Sequence, residues 1–223
     1  MGISVTFKRP DGKNASGYLA NAASGNAPGV VVLPEWWGMS DQIRGLCDRL
    51  ALAGFDALAA DLYNGKVVPY HDPDSADREN KALDLIDATT QIVRGAVQYL
   101  ARNGAKVGLT GFCLGGKVTI VAAAKVPELT AGVVFYGMAP EHVATPAEVK
   151  IPLQAHFANT DDWCTPQLVD AFENSMNSAG KPLELFRYDA EHGFVNEQRP
   201  EHDRKAAEVA WGRTLEFFRK HLG

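Results

Sequence analysis

The sequence predicts an α/β fold, a mainly parallel sheet with helices on both faces, from two observations. Short apolar runs alternate with helical periodicities from one end of the chain to the other, and such alternation makes each helix a crossover between parallel strands. Runs such as GVVVL and GVVFY also lack the polar alternation of a half-exposed strand, as strands covered on both faces do. The N-terminal segment MGISVTFKRPDGKN opens with a strand. GVVVL (29–33), FDALAA (55–60), KVGLT (106–110), GVVFY (132–136), LQAHF (153–157) and LELFRY (183–188) supply the others. Between them Ile43, Leu46, Leu50 and Ala53 recur at spacings of one helix face. Ala82, Leu85, Ile86, Thr89, Val93, Ala96 and Leu100 do so over a longer helix, and Ala207, Trp211, Leu215, Phe218 and Leu222 mark a closing one. The stretch KVVPYHDPDSADREN (66–80) reads as a polar loop into the long helix, either a pocket wall or plain surface. Right-handed crossovers then bring the strand C-termini, and the loops after them, to one edge of the sheet.

Composition narrows the function classes. A chain of 223 residues with 46% hydrophobic and 22% charged residues fits one soluble domain spanning 1–223. The net charge of −5, with no basic stripe to offset it, argues against nucleic acid. No apolar run approaches the length of a membrane span, and the N-terminus has no signal-peptide core. Three cysteines, Cys47, Cys113 and Cys164, are an odd number with no C-x-x-C pair, which suits a reducing cytoplasm rather than a disulfide framework. No metal-ligand spacing occurs among the histidines. His156 falls inside a strand and reads as a satisfied core or edge residue, whereas His202 and His221 read as solvent-facing on the last helix.

Strand KVGLT runs directly into GFCLGG, and LGGKVTIVAAAK then has helix character. Strand, tight turn and helix with G-x-C-x-G at the turn is the nucleophile-elbow arrangement, with cysteine in the serine position. Gly111 and Gly115 relieve the crowding of such a turn. The following helix presents its positive end to Cys113, and the N–H of Leu114 points to where an oxyanion would form. The pentapeptide alone also fits a buried cysteine in a glycine-rich packing turn. The rest of the constellation favours chemistry, because a cysteine nucleophile needs a base and the base an orienting acid. HFANTDDW follows one strand and DAEHGF the next. The order nucleophile, acid, histidine, with gaps of 48 residues from Cys113 to Asp161 and 31 from Asp161 to His192, is that of α/β-hydrolases.

Five segments in order, VVLPEWWG, GFCLGGK, VVFYG, FANTDDW and EHGF, resemble the dienelactone hydrolase family from about Val30 to the final helix. The resemblance implies an α/β-hydrolase fold and a carboxylic ester hydrolase with Cys113 as nucleophile, His192 as general base and Asp161 as orienting acid. Asp162 is the runner-up for the acid. It also implies that Glu35 approaches the thiol and helps remove its proton when substrate binds; on fold position alone, the alternative is an exposed strand-end carboxylate at the sheet's top edge. Trp36 and Leu114 then supply the oxyanion N–H groups.

Substrate recognition departs from the family pattern. Members acting on dienelactone hold its carboxylate with two arginines beside a tyrosine. Arg78 matches the first arginine, Ala82 stands where the tyrosine is expected, and Asn196 stands where the second arginine is expected. Asparagine supplies neither the charge nor the fork of a guanidinium, and Arg199 lies nearby as a possible substitute. Arg78, Trp37, Tyr136 and Asn196 form the candidate substrate-binding set, with Trp36 and Trp37 as pocket walls. The expected reaction opens a lactone or activated ester, dienelactone to maleylacetate in the best-known members, with no cofactor or metal and a monomeric enzyme. A broader carboxylesterase with an altered pocket is the alternative, and an inactive hydrolase-fold binding protein the third.

Overall fold

The computed structural model describes residues 1–223. Its eight strands are β1 (Ile3–Lys8), β2 (Asn14–Ala20), β3 (Gly29–Leu33), β4 (Asp56–Ala60), β5 (Val107–Phe112), β6 (Leu129–Phe135), β7 (Leu153–Thr160) and β8 (Leu183–Glu191). They form one sheet in the order β1-β2-β4-β3-β5-β6-β7-β8. From β4 through β8 every pairing is parallel, whereas β1 and β2 form an antiparallel hairpin that joins β4 at one edge. Strand β2 has no counterpart in the sequence reading.

Period-2 alternation divides the core into two layers. Along β3, Val31 and Leu33 point to one face and Val30 and Val32 to the other. The helices α4 (Arg94–Leu100), α5 (Leu114–Lys125) and α6 (Pro166–Ser178) cover the first face through Val97, Val118, Ile120, Phe172 and Met176. The second face is covered by α1 (Asp41–Leu52) and α7 (Arg204–Leu222) through Ile43, Leu46, Leu50, Phe217 and Phe218. Full burial of each such side chain contributes roughly 1.5–3 kcal/mol. No helix is long and apolar enough to cross a membrane.

The region read as a polar loop and one long helix is built differently. Helix α2 (Pro73–Ala82) begins inside the supposed loop, started by the Asp72 side chain on Ser75 N–H and by Pro73 at the first turn. It stops at Leu83, which is extended, and Asp84 restarts the helix by accepting from the N–H groups of Ile86 and Asp87. A short α3 (Leu85–Asp87), a π-helical segment Ala88–Val93 and α4 follow without a gap. Within the π segment Thr89 and Thr90 hydroxyls donate to the carbonyls of Leu85 and Ile86, each at 2.7 Å. Two histidines also differ from expectation. His202 precedes α7, with its ring Nδ1 2.9 Å from the Phe194 carbonyl, and His221 packs at 4.5 Å on Phe217.

Candidate active site

Five strands deliver one residue each to the same edge. Cys113 follows β5, Tyr136 follows β6, Asp161 follows β7 and His192 follows β8 directly, while Glu35 lies two residues beyond β3. They border a cavity of about 480 Å³, with Asp161 just behind its wall.

The turn at Cys113 is as tight as G-x-C-x-G suggested. Cys113 sits at φ +52 and ψ −108, a conformation that costs a non-glycine residue of order 1–3 kcal/mol. Its surroundings leave no room for side chains on the flanking glycines. A Cβ on Gly111 would collide with the Gly115 carbonyl, and one on Gly115 would lie 2.5 Å from the Leu33 carbonyl. That close approach lets Gly115 N–H donate to Pro34 O at 3.0 Å, which fastens the start of α5 to the chain leaving β3. The N–H of Leu114, at the first position of α5, has no intrahelical partner. Trp36 N–H, in the turn closed by Gly38 N–H on Glu35 O, likewise donates to no protein acceptor.

Asp161 is held from both sides. Its Oδ1 accepts from the N–H groups of Trp163 and Cys164, each at 2.8 Å, and its Oδ2 accepts from His192 Nδ1 at 2.7 Å. Burial by itself raises the Asp161 carboxyl, but these hydrogen bonds hold it below the ordinary carboxylate range. Asp162, by contrast, is exposed at the cavity rim. Gly193, at φ +85, turns the chain after β8 so that His192 faces both Asp161 and Cys113. Burial by itself lowers the His192 pKa, but the hydrogen bond to Asp161 and contact with the Cys113 sulfur raise it to about 10.

Glu35 is buried, and both of its oxygens are occupied. Asn196 Nδ2 donates to Oε2 at 2.7 Å and the Tyr136 hydroxyl to Oε1 at 3.2 Å. Desolvation raises the Glu35 carboxyl above its usual range, opposed by the Asn196 hydrogen bond and the nearby His192 and Arg199 charges. In this structure the carboxylate is hydrogen-bonded to Asn196 and Tyr136 rather than to the thiol, and its charge lies near the imidazole. Tyr136 is itself in a left-handed conformation, φ +36, with its ring 5.0 Å from that of His192.

Two of the expected substrate-binding residues lie elsewhere. Arg78 is exposed on α2 and turned back on Ser75 Oγ at 2.5 Å, so it does not line the cavity, whereas Asn80 does. Asn196 is also outside the cavity, 1% exposed, because its amide is committed to Glu35. Trp37 and Tyr136 line the cavity as expected, as does Trp36, which meets Trp37 edge-on at 5.2 Å. Arg199 reaches the cavity wall over the Trp37 ring at 5.1 Å, but its guanidinium is held by both oxygens of Glu201 at 2.6 and 3.0 Å. Lys117 and Trp163 also line the cavity. The first could have been found from the sequence, since it lies one helical turn beyond Cys113.

A family model described as "Dienelactone hydrolase family" matches residues 15–222. "Protein usf" of Aquifex pyrophilus is 34% identical over 239 residues, covering 100% of both chains. A protein of Aquifex aeolicus (strain VF5) named "Putative carboxymethylenebutenolidase" is 32% identical over 238 residues, again covering 100% of both. The crystal structure titled "Putative Dienelactone Hydrolase" from Klebsiella pneumoniae matches with a TM-score of 0.87 at 25% identity, covering 99% of this chain and 100% of that one.

Proposed function

The chain belongs to the dienelactone hydrolase family and has the α/β-hydrolase fold, and on that premise we propose that it hydrolyses a lactone or activated ester through an acyl-enzyme on Cys113. The observation that carries this reading is that Cys113 and His192 face the same cavity, with Asp161 Oδ2 2.7 Å from His192 Nδ1 behind it. In this scheme His192 takes the thiol proton and the sulfur attacks the ester carbonyl. The oxyanion is received by the N–H groups of Trp36 and Leu114, which have no other acceptor within the protein. Collapse breaks the bond to the ester oxygen, which leaves with the proton carried by His192. A water then gives its proton to His192, attacks the thioester and releases the acid. Asp161 keeps the ring oriented and stabilises the imidazolium at both proton transfers. Glu35, buried near the same ring, adds negative potential that favours the imidazolium, and Asn196 and Tyr136 position it.

A second reading, of the substrate, is favoured by the disposition of the arginines. With Arg78 outside the cavity and Arg199 held by Glu201, no free pair of guanidinium groups is assembled for a carboxylate. A neutral ester is therefore the better candidate than dienelactone itself. One set of measurements addresses both points. Purified enzyme is expected to turn over p-nitrophenyl acetate with higher kcat/KM than dienelactone, and acid-quenched samples should carry an acetyl group on the peptide containing Cys113. Cys113→Ala should lose at least about a thousandfold in turnover while keeping the fold, whereas Cys47→Ala, at a buried α1 position that does not line the cavity, should retain most activity. Substantial turnover by Cys113→Ala would move the nucleophile elsewhere.

A further inference from the structure

A second cavity, of about 460 Å³, adjoins the first and shares Lys117, Met138 and Trp163 with it. Its remaining lining is largely apolar and includes Ile120, Pro140, Leu168 and Phe172, with Glu141 and Ser175 as polar groups. Two large apolar side chains on its wall are left open to solvent, Trp163 at 67% and Leu168 at 49% exposure. The catalytic cavity alone already has the volume of an ordinary small-molecule site, so a small lactone has no need of the second.

The helix that begins at the elbow connects them. Cys113, Lys117 and Ile120 are spaced as one face of α5, so the thiol lies at one end of a track and the second cavity at the other. Ile120 is about 10 Å along the helix axis from Cys113, within reach of a medium-length chain attached at the sulfur. Resting on the catalytic reading above, we propose that the second cavity is a subsite for the apolar arm of the ester, an alkyl chain of about six to eight carbons. The arm passes over the alkyl stem of Lys117 between Met138 and Trp163 and ends against Ile120, Leu168 and Phe172. This makes the enzyme selective for esters longer than the lactones named for its relatives.

The test uses the full chain with two series, p-nitrophenyl esters from acetate to octanoate and n-alkyl acetates from ethyl to octyl. At least one series is expected to gain about three- to fourfold in kcat/KM per methylene until the cavity is filled. The series that gains identifies the arm as acyl or alcohol. Ala171→Trp, at an exposed α6 position lining the second cavity, should lower the long-to-short kcat/KM ratio at least tenfold. Flat profiles in both series, or a rising profile that Ala171→Trp leaves as steep, would overturn the subsite while leaving the catalytic reading intact. A binding arm separates the opposite failure. In Cys113→Ala, 1-octanol should change a tryptophan fluorescence signal that is lost in Cys113→Ala/Trp163→Phe. Such binding without any ester turnover in wild type would support the subsite and sink the catalytic reading, and no octanol-dependent signal would overturn the subsite.

Discussion

At the residue scale the two neighbouring carboxylates separate cleanly. Asp161 spends both oxygens on three N–H donors within 2.8 Å, and Asp162 is exposed with no such commitment. Replacing Asp161 by Asn puts an amide where the ring needs an acceptor and favours the wrong imidazole tautomer, so kcat should fall about 10³–10⁴-fold. Asp162→Asn should stay within about twofold. A greater loss for Asp162→Asn would move the orienting acid by one position. The residue types and their places after successive strands made Cys113, His192 and the Asp161–Asp162 pair legible from sequence, and the resemblance to the family chose Asp161 of the two. Asn196 was legible only as a missing arginine. That its amide turns inward to hold Glu35 depends on how the chain folds back after β8, and no local pattern encodes that. Arg78 does not face the cavity for a related reason: it lies within α2, a helix that the polar 66–80 stretch did not announce, and its side chain turns back on Ser75.

At the element scale the elbow is the feature that sequence specified best, because glycines mark close backbone approaches directly. Gly115→Ala tests whether the approach of α5 to β3 matters as much as its geometry suggests. The added methyl would lie 2.5 Å from the Leu33 carbonyl, and neither backbone can move without disturbing the Gly115–Pro34 hydrogen bond or the turn at Cys113. The variant should lose about 2–4 kcal/mol in urea unfolding and at least tenfold in kcat. Unchanged stability and turnover together would mean that the elbow is far more pliable than its packing indicates. Other elements were harder to read. Helix α2 buries only Ala76, so it has no apolar stripe, and its real signal was the D-P-D-S cap. Helix α6 begins in the same way, with Thr165 as cap and Pro166 in the first turn. Strand β2 opens with polar residues and includes Gly17, where a Cβ would lie 2.5 Å from the Ala59 carbonyl oxygen. Periodicity alone fails where packing is made by backbone rather than by side chains.

At the scale of the whole molecule, a buried polar chain ties the far end of the sheet to the last helix. Arg213 on α7 donates to the Tyr188 hydroxyl at 3.0 Å, and that hydroxyl lies 2.8 Å from His156 Nδ1. The other ring nitrogen donates to Gln154 Oε1 at 2.9 Å, and Gln154 in turn donates to Glu184 at 3.1 Å. The ring is stacked on Phe135 at 4.6 Å and is wholly buried. The sequence reading of His156 as a satisfied core or edge residue leaves its side open, and the buried position settles it as core; the partners, drawn from β7, β8 and α7, become visible only in the fold. Burial, with a smaller contribution from the Arg213 charge, lowers the His156 pKa from 6.5 to about 3. Between those values the unfolded chain binds a proton that the folded one refuses, so stability must fall as pH falls through this window, by about 1.4 kcal/mol per unit. His192 acts in the opposite sense. Its folded pKa is raised from 6.5 to about 10, so its contribution is complete below the lower value and is lost as pH rises toward the upper. The acid side can be isolated by urea unfolding of wild type and His156→Gln at pH 7 and pH 4.5. Gln can keep polar contacts in the chain but does not titrate, so the variant, less stable at pH 7, should lose on the order of 3 kcal/mol less than wild type between the two pH values. Equal losses would show that His156 is not held neutral by the fold, and that acid sensitivity arises from the carboxylates instead.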